Sequence, residues 1–271
     1  MNAMPQSKKE ANKMWEKELQ HAIEAAKRVI PKILEIYHSH FDVEIKGDNS
    51  PVTIADKTAD KMIREYLSSC YPTHAFLTEE SEDDLSRLEN DFVWIVDPID
   101  GTKDFIAKDD EFTTSIALSY KHEIVVGVIC APALNEIYYA SKGNGAYSLI
   151  DGKVNKIHVN DKLEDLTCLM SVFHQKPEEI ALCEKHKDKI TKTLKVGSCL
   201  KACRIAQGKA ELSYRLSDGT KEWDIAGIQI IITEAGGVFL EPDGTPITYN
   251  RKDVYNRRGY IMANRRENFL L

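Results

Sequence analysis

The 271-residue chain has no cysteine framework. Its six cysteines, Cys70, Cys130, Cys168, Cys183, Cys199 and Cys203, form no CxxC pair. Cys199 and Cys203 share a helical spacing, but no His or Cys partners accompany them as a zinc site requires. Reduced thiols of an intracellular protein are expected. No apolar run is long enough to span a bilayer, and the opening MNAMPQSKKEANKMW lacks the apolar core of a signal peptide. The expected location is the cytoplasm, with loose contact at the inner face of the cell membrane, and the choice between monomer and homodimer, left open. Positive charge is short as well: a net charge of −7 argues against binding a nucleic-acid polymer. It does not exclude an anionic small molecule, because local cations or bound metal outweigh the total. There is no repeat, no low-complexity segment, and neither a GxSxG nor a Cys-x5-Arg nucleophile loop. What remains, 42% hydrophobic and 29% charged, is a globular chain that buries a substantial core as one large domain or two intimate lobes.

The most informative stretch is FVWIVDPIDGTKDF, Phe92 to Phe105. Five apolar residues suit a strand buried on both faces. Polarity then reverses, with Asp97 and Asp100 bracketing Pro98 and followed by Gly101 and Thr102. Two carboxylates held close are unfavourable unless a cation neutralises them, so Asp97 and Asp100 are candidate ligands for a hard divalent ion such as magnesium. Gly101 permits close backbone approach to a ligand, and Thr102 adds a hydroxyl. An ordinary Asp-Pro and Asp-Gly turn explains the same residues equally well.

Apolar periodicity predicts a helix from Lys8 to about His40, kinked or broken at Pro31. Turn formers fill KGDNSPVTIAD, where Thr53 and Asp56 resemble a capping box before a helix reaching Cys70. Asp56 is either that cap or a carboxylate that takes a proton from a neighbouring hydroxyl or water. His74 to Thr78 is expected as a strand ending in Glu79-Glu80, and the acidic segment Ser81 to Asp91 as an exposed loop or short helix. Strands at 112–118, 123–130, 137–140 and 146–150, with another at 157–159, suggest an antiparallel meander. Beyond a soft boundary near Asp161 to Asp165, strands alternate with helices, including one over Ser198 to Ala206 and one over Trp223 to Ala235. Asp224 falls in KEWDIAG at that last helix start, where the backbone dipole favours an acid.

SPVTIAD, TEE, DPIDGT and WDIAG, in this order, together resemble the magnesium-dependent, lithium-sensitive phosphatases of the inositol monophosphatase superfamily. The resemblance covers nearly the whole chain. It implies an α+β fold, a layered α-β-α-β-α sandwich. An N-terminal lobe, residues 1–160, would carry most metal ligands, and a C-terminal lobe, residues 161–271, would carry Asp224. By motif match, Glu79, Asp97, Asp100, Asp224 and the Ile99 carbonyl would hold two or three magnesium ions. Asp56 and Thr102 would activate the attacking water, and the Gly101 and Thr102 N–H groups would cradle the phosphate.

VGSCLKACRIAQGKAELSYR, Val196 to Arg215, resembles the 3'(2'),5'-bisphosphate nucleotidases, as do DGTKDF and KGDNSPVTIAD. Ser198 and Lys201, three apart, are expected on one face of a helix N-terminus, with Arg215 turning towards them. The match implies that Ser198, Lys201 and Arg215 hold the second phosphate of adenosine 3',5'-bisphosphate and that His174 lies near the nucleoside. Solvated cations and a surface histidine are the plain alternatives. Ser217 stands seven before Asp224, where inositol monophosphatases carry a Glu. The implied reaction is hydrolysis of the 3'-phosphate to AMP, with 3'-phosphoadenylyl sulfate as a further substrate, a role in sulfur assimilation. The rival readings are an inositol or broad sugar-phosphate phosphatase and, from another class, an inactive metal- or nucleotide-binding regulator.

Overall fold

The computed structural model describes residues 14–47 and 50–271. The start of the first expected helix, Lys8 to Lys13, and Asn49 of the following turn lie outside them. The N-terminal apolar stripe folds as α1 (Glu16–Tyr37), which buries Ala22, Ala26, Val29, Ile33 and Tyr37. It runs unbroken through Pro31, contrary to the expected break. Pro31 lies on the exposed face, and residues buried on both sides of it keep the helix on the core. Packing there outweighs the missing hydrogen bond.

A hairpin of β1 (Val43–Ile45) and β2 (Pro51–Thr53) leads into α2 (Ile54–Cys70). The expected capping box is present. The Thr53 hydroxyl accepts from the Ala55 N–H at 3.1 Å, and Asp56 accepts from the Thr53 N–H at 2.8 Å.

Seven strands form the first sheet: β3 (Ala75–Thr78), β4 (Phe92–Asp100), β5 (Thr113–Tyr120), β6 (Glu123–Ala131), β7 (Glu136–Ser141), β8 (Ala146–Ile150) and β9 (Lys153–Ile157). They lie in chain order, with β3 parallel to β4 and every later pair antiparallel. The meander is as expected. Its last strand is not 157–159 but β9, because Asp151 and Gly152 take positive φ and reverse the chain at once. Between β4 and β5 the chain forms α3 (Thr102–Ala107), a helix that apolar periodicity did not signal.

The second sheet is mixed, with order β11-β10-β12-β14-β13. Its strands are β10 (Leu166–Met170), β11 (Ile190–Lys195), β12 (Leu212–Arg215), β13 (Val238–Leu240) and β14 (Tyr260–Ala263). The helices of this half are α4 (Pro177–Lys185), α5 (Leu200–Ala206) and α6 (Glu222–Glu234). The helix expected from Ser198 begins only at Leu200, since Ser198 has a left-handed φ of 51°.

Alternation along β4 explains the layering. Trp94 and Val96 join the core of α1 and α2, while Val93 and Ile95 face the opposite core shared with α5, α6 and the second sheet. A third core joins Cys183 of α4 to Leu166, Cys168, Leu212 and Ile261. The order is therefore helices, sheet, helices, sheet, helix, the α-β-α-β-α sandwich of the α+β class. Among the described residues, no helix is long and apolar enough to cross a membrane.

Helix α6 lies very close to the first sheet. A Cβ on Gly127 of β6 would come within 2.5 Å of Ile230 Cγ2 and 2.7 Å of the Gly227 carbonyl. Gly127→Ala is expected to cost about 1–3 kcal/mol through forced repacking, read as a lowered denaturant midpoint at unchanged slope.

Candidate active site

The acidic motif is not a turn after a strand but a distorted end of β4. In the ladder with β5, Asp97 pairs with Ser115 and Asp100 with Thr113, so three steps on one strand face two on the other. In a regular strand, residues three apart point to opposite faces. The extra residue restores parity and turns both carboxylates to one side. Gly101 then takes φ 88°, where a Cβ would come within 3.0 Å of Asp104 Oδ2 and 3.2 Å of Ser198 Cβ. Asp224 arrives from the first turn of α6, its carboxylate accepting the Lys221 N–H at 2.6 Å.

One oxygen from each of Asp97, Asp100 and Asp224 lies within 4.8 Å of the other two. Asp97 is 1% exposed, and its Oδ1 has no hydrogen-bond donor among the described residues. Burial, then the charges of Glu79, Asp100 and Asp224, pushes the Asp97 carboxyl well above its usual range. Burial, then Asp100 and Glu79, raises Asp224 to about 8. A buried oxygen without a donor, inside a set of oxygen ligands, fits a hard divalent cation. Glu79 lines the same cavity and is paired with the Lys46 ammonium at 3.0 Å, which also contacts Glu80. Ile99 is buried, and its carbonyl accepts from the Thr102 hydroxyl at 3.3 Å.

Asp56 is the cap that the sequence suggested, and it also meets a neighbouring hydroxyl. It caps α2 with one oxygen, and its Oδ1 accepts from the Thr102 hydroxyl at 3.1 Å. Burial raises its pKa, opposed by the hydrogen bonds from Thr53 and Thr102. The helix cap thus fixes the carboxylate behind the hydroxyl.

A single cavity of about 630 Å³ is lined by Asp97, Asp100 and Asp224 and also by Lys201, Arg215 and His174. Ser198 lines it too, though not from a helix face as expected. It precedes α5, its hydroxyl bonding the Asp100 carboxylate and lying 2.6 Å from the Thr113 hydroxyl. Lys201 curls back to the Ser198 and Val196 carbonyls at 2.6 and 3.3 Å, and burial lowers its pKa. Arg215 donates to the His174 carbonyl. Desolvation, with the charges of Lys103 and Arg215, lowers His174 to about 4 and keeps it neutral at pH 7. Tyr214 and Tyr249 are core residues and do not line the cavity.

Three contributors escaped the sequence reading: Lys46, Lys103 and Asp104. Lys46 opens the KGDNSPVT motif, and the other two lie in DGTKDF, so position within a motif was the available signal. Asp104 is buried, its Oδ1 has no hydrogen-bond partner among the described residues, and burial, then Asp109 and Asp100, raises it to about 7.

The crowded carboxylates make metal-free stability pH-dependent. An unfolded Asp titrates near 4. With Asp224 at about 8 in the fold, the folded state keeps a proton that the unfolded state has lost. That stability is present below about pH 4 and is lost as pH rises towards 8. The unfolding temperature of chelator-treated protein is expected to fall between pH 5 and pH 8, and magnesium to restore more of it at pH 8.

Residues 14–270 match the inositol monophosphatase family. The chain is 31% identical over 253 residues to the 3'(2'),5'-bisphosphate nucleotidase CysQ of Aggregatibacter actinomycetemcomitans, covering 90% of this chain and 92% of that protein. It is 33% identical over 235 residues to an inositol monophosphatase of Dictyostelium discoideum, covering 83% and 85%. The crystal structure of CysQ from Bacteroides thetaiotaomicron superposes with a TM-score of 0.81 at 33% identity, covering 93% of this chain and 99% of that one. The acidic cluster and its fold thus sit in a chain matched almost from end to end, and the protein belongs to the inositol monophosphatase family as one of its phosphatases.

Proposed function

We propose that this phosphatase removes the 3'-phosphate of adenosine 3',5'-bisphosphate to give AMP, using magnesium. The observation that carries the reading is the polarity of the cavity. It has carboxylates at Asp97, Asp100 and Asp224 and cations at Lys103, Lys201 and Arg215 on one continuous wall. A molecule with two phosphates matches both sets: one phosphate is bound with metal ions, the other by ammonium and guanidinium groups. The names of the matched CysQ relatives support the same substrate.

Phosphomonoester hydrolysis is slow because anionic oxygens repel the nucleophile and the alkoxide leaves poorly. Glu79, Asp97, Asp100, Asp224 and the Ile99 carbonyl would hold the magnesium, which would supply Lewis-acid charge and lower the pKa of water. The chain's own groups do the rest. Thr102 orients the water through its hydroxyl, and Asp56 receives the proton passed through that hydroxyl. The Gly101 and Thr102 N–H groups bind oxygens of the scissile phosphate. Lys201 and Arg215 hold the other phosphate, Ser198 positions Asp100, and neutral His174 sits beside the nucleoside. No covalent phosphoenzyme forms. Activity on 3'-phosphoadenylyl sulfate, lithium sensitivity and a place in sulfur assimilation follow from the same reading.

The Dictyostelium relative favours a second reading, hydrolysis of inositol or other sugar phosphates. Ser217 lines the cavity where the resemblance places a Glu for inositol hydroxyls, which weighs against it. A substrate panel separates the two: higher kcat/KM is expected for adenosine 3',5'-bisphosphate than for inositol 1-phosphate, and the reverse order overturns the proposal. Lys201→Met should raise KM for the bisphosphate about 10- to 100-fold, the worth of one charged hydrogen bond, and leave inositol 1-phosphate turnover unchanged. Asp97→Asn should abolish magnesium-dependent phosphate release; release at the wild-type rate would show the metal assignment wrong.

A further inference from the structure

The acidic cluster joins two distant parts of the chain. Glu79, Asp97 and Asp100 belong to the first sheet, and Asp224 belongs to α6. Asp97, Asp100 and Asp224 repel one another until a cation arrives. Between Glu79 and Asp97 in the chain, the acidic segment expected to be an exposed loop or short helix contains a buried arginine. Arg87, in a short 3₁₀ turn at Ser86–Glu89, has a side chain only 2% exposed.

All three of its guanidinium nitrogens donate hydrogen bonds. Nε and Nη2 bind Asp83 at 2.8–3.1 Å, Nη1 donates to Asn250 Oδ1 at 2.7 Å, and Nη2 donates to the Arg251 carbonyl at 2.8 Å. Asn250 Nδ2 donates back to the Arg87 carbonyl at 3.1 Å. The other side of the same dipeptide is bound by Glu222, whose side chain is fully buried. Glu222 accepts from the Asn250 N–H at 2.7 Å, the Arg251 N–H at 2.8 Å and Arg251 Nε at 3.2 Å. Asn250 holds a left-handed φ of 55°, which turns its N–H one way and its side chain the other. Residues 250–251 are thus riveted between Arg87, eight residues after Glu79, and Glu222, two residues before Asp224.

Burying ionised groups contributes little net stability compared with apolar packing of the same volume. What such a network supplies is fixed geometry. Here it opposes the repulsion that would move the start of α6 away from β3 and β4. We propose that Arg87, Asn250 and Glu222 are positioning residues that preassemble the acidic cluster and so set its affinity for divalent cations, not the rate once the cations are bound. The inference rests on the reading of Asp97, Asp100 and Asp224 as metal ligands.

The test uses full-length Arg87→Lys, which keeps the charge and loses the fork, and Asn250→Gly. The glycine keeps the left-handed backbone and its N–H to Glu222 but removes both side-chain hydrogen bonds between Asn250 and Arg87, leaving the one from Nη2 to the Arg251 carbonyl. Binding of Mn²⁺ alone is followed by loss of the free-ion electron paramagnetic resonance signal. Each variant should bind Mn²⁺ about 10-fold more weakly, the low end of what losing a group that orients metal ligands costs, and should reach wild-type kcat at saturating metal. The double variant should be little weaker than either single one, because both cut the same strut. Unchanged Mn²⁺ affinity alongside a lowered unfolding temperature would assign the network to stability alone and overturn the proposal. So would a loss of kcat at saturating metal with affinity intact. If Arg87→Lys fails to fold, Asn250→Gly decides. Wild-type protein that binds no Mn²⁺ overturns the metal reading and this inference with it. Wild-type protein that binds Mn²⁺ but leaves the bisphosphate intact refutes only the proposed substrate.

Discussion

Mutual repulsion among carboxylates is the constraint on which this structure turns. Asp97, Asp100 and Asp224 bring oxygens within 4.8 Å of one another, where Asp97 is buried and the other two half-buried, so that bulk water screens them poorly. Holding them there requires opposing structure at every approach. The bulge in β4 turns Asp97 and Asp100 to one side, Gly101 takes a backbone conformation that other residues avoid, and the first turn of α6 delivers Asp224. Lys46 offsets Glu79 and Glu80 from the outside. A site that costs this much to assemble is a site whose favourable term is supplied by a ligand of opposite charge.

The same cavity changes sign along its wall. Lys201 and Arg215 come from α5 and β12, elements of the second sheet's half, while Asp97 and Asp100 come from the first. Ser198 spans the junction, bonding the Asp100 carboxylate beside the Lys201 loop. The acidic and the basic lining are therefore supplied by two sheets that share the core around α5 and α6. A net charge of −7 says little about such a place, since local arrangement decides what binds.

Much of the fold was legible because its signals are local. The continuous apolar run of β4, the meander turns and the Thr53–Asp56 capping box depend on residues that are neighbours in sequence. The misreadings have a common cause. Pro31 was read as a break because its local cost is real, and packing on both sides overrode it. Ser198 was read as helical because the spacing to Lys201 suits a helix, whereas its left-handed backbone leaves it outside α5 and turned to Asp100. Arg87 was read as part of a solvated acidic run, although its partners Asn250 and Arg251 lie more than 160 residues away and leave no trace in the local pattern.

The sequence by itself determined which side chains have the right chemistry and which short motifs hold them, because hydrogen-bonding capacity, charge and turn preference belong to residues and their near neighbours. Read together, the four acidic motifs were enough to suggest the family. Only the tertiary structure decided that Asp97 and Asp100 share a side, since that depends on one extra residue in a ladder with β5. It alone decided that Asp56 is both cap and partner of Thr102, and that Asp224 reaches Asp97. Those are distances between elements far apart in the chain, fixed by how sheets and helices pack and by nothing that a local stretch of residues can express.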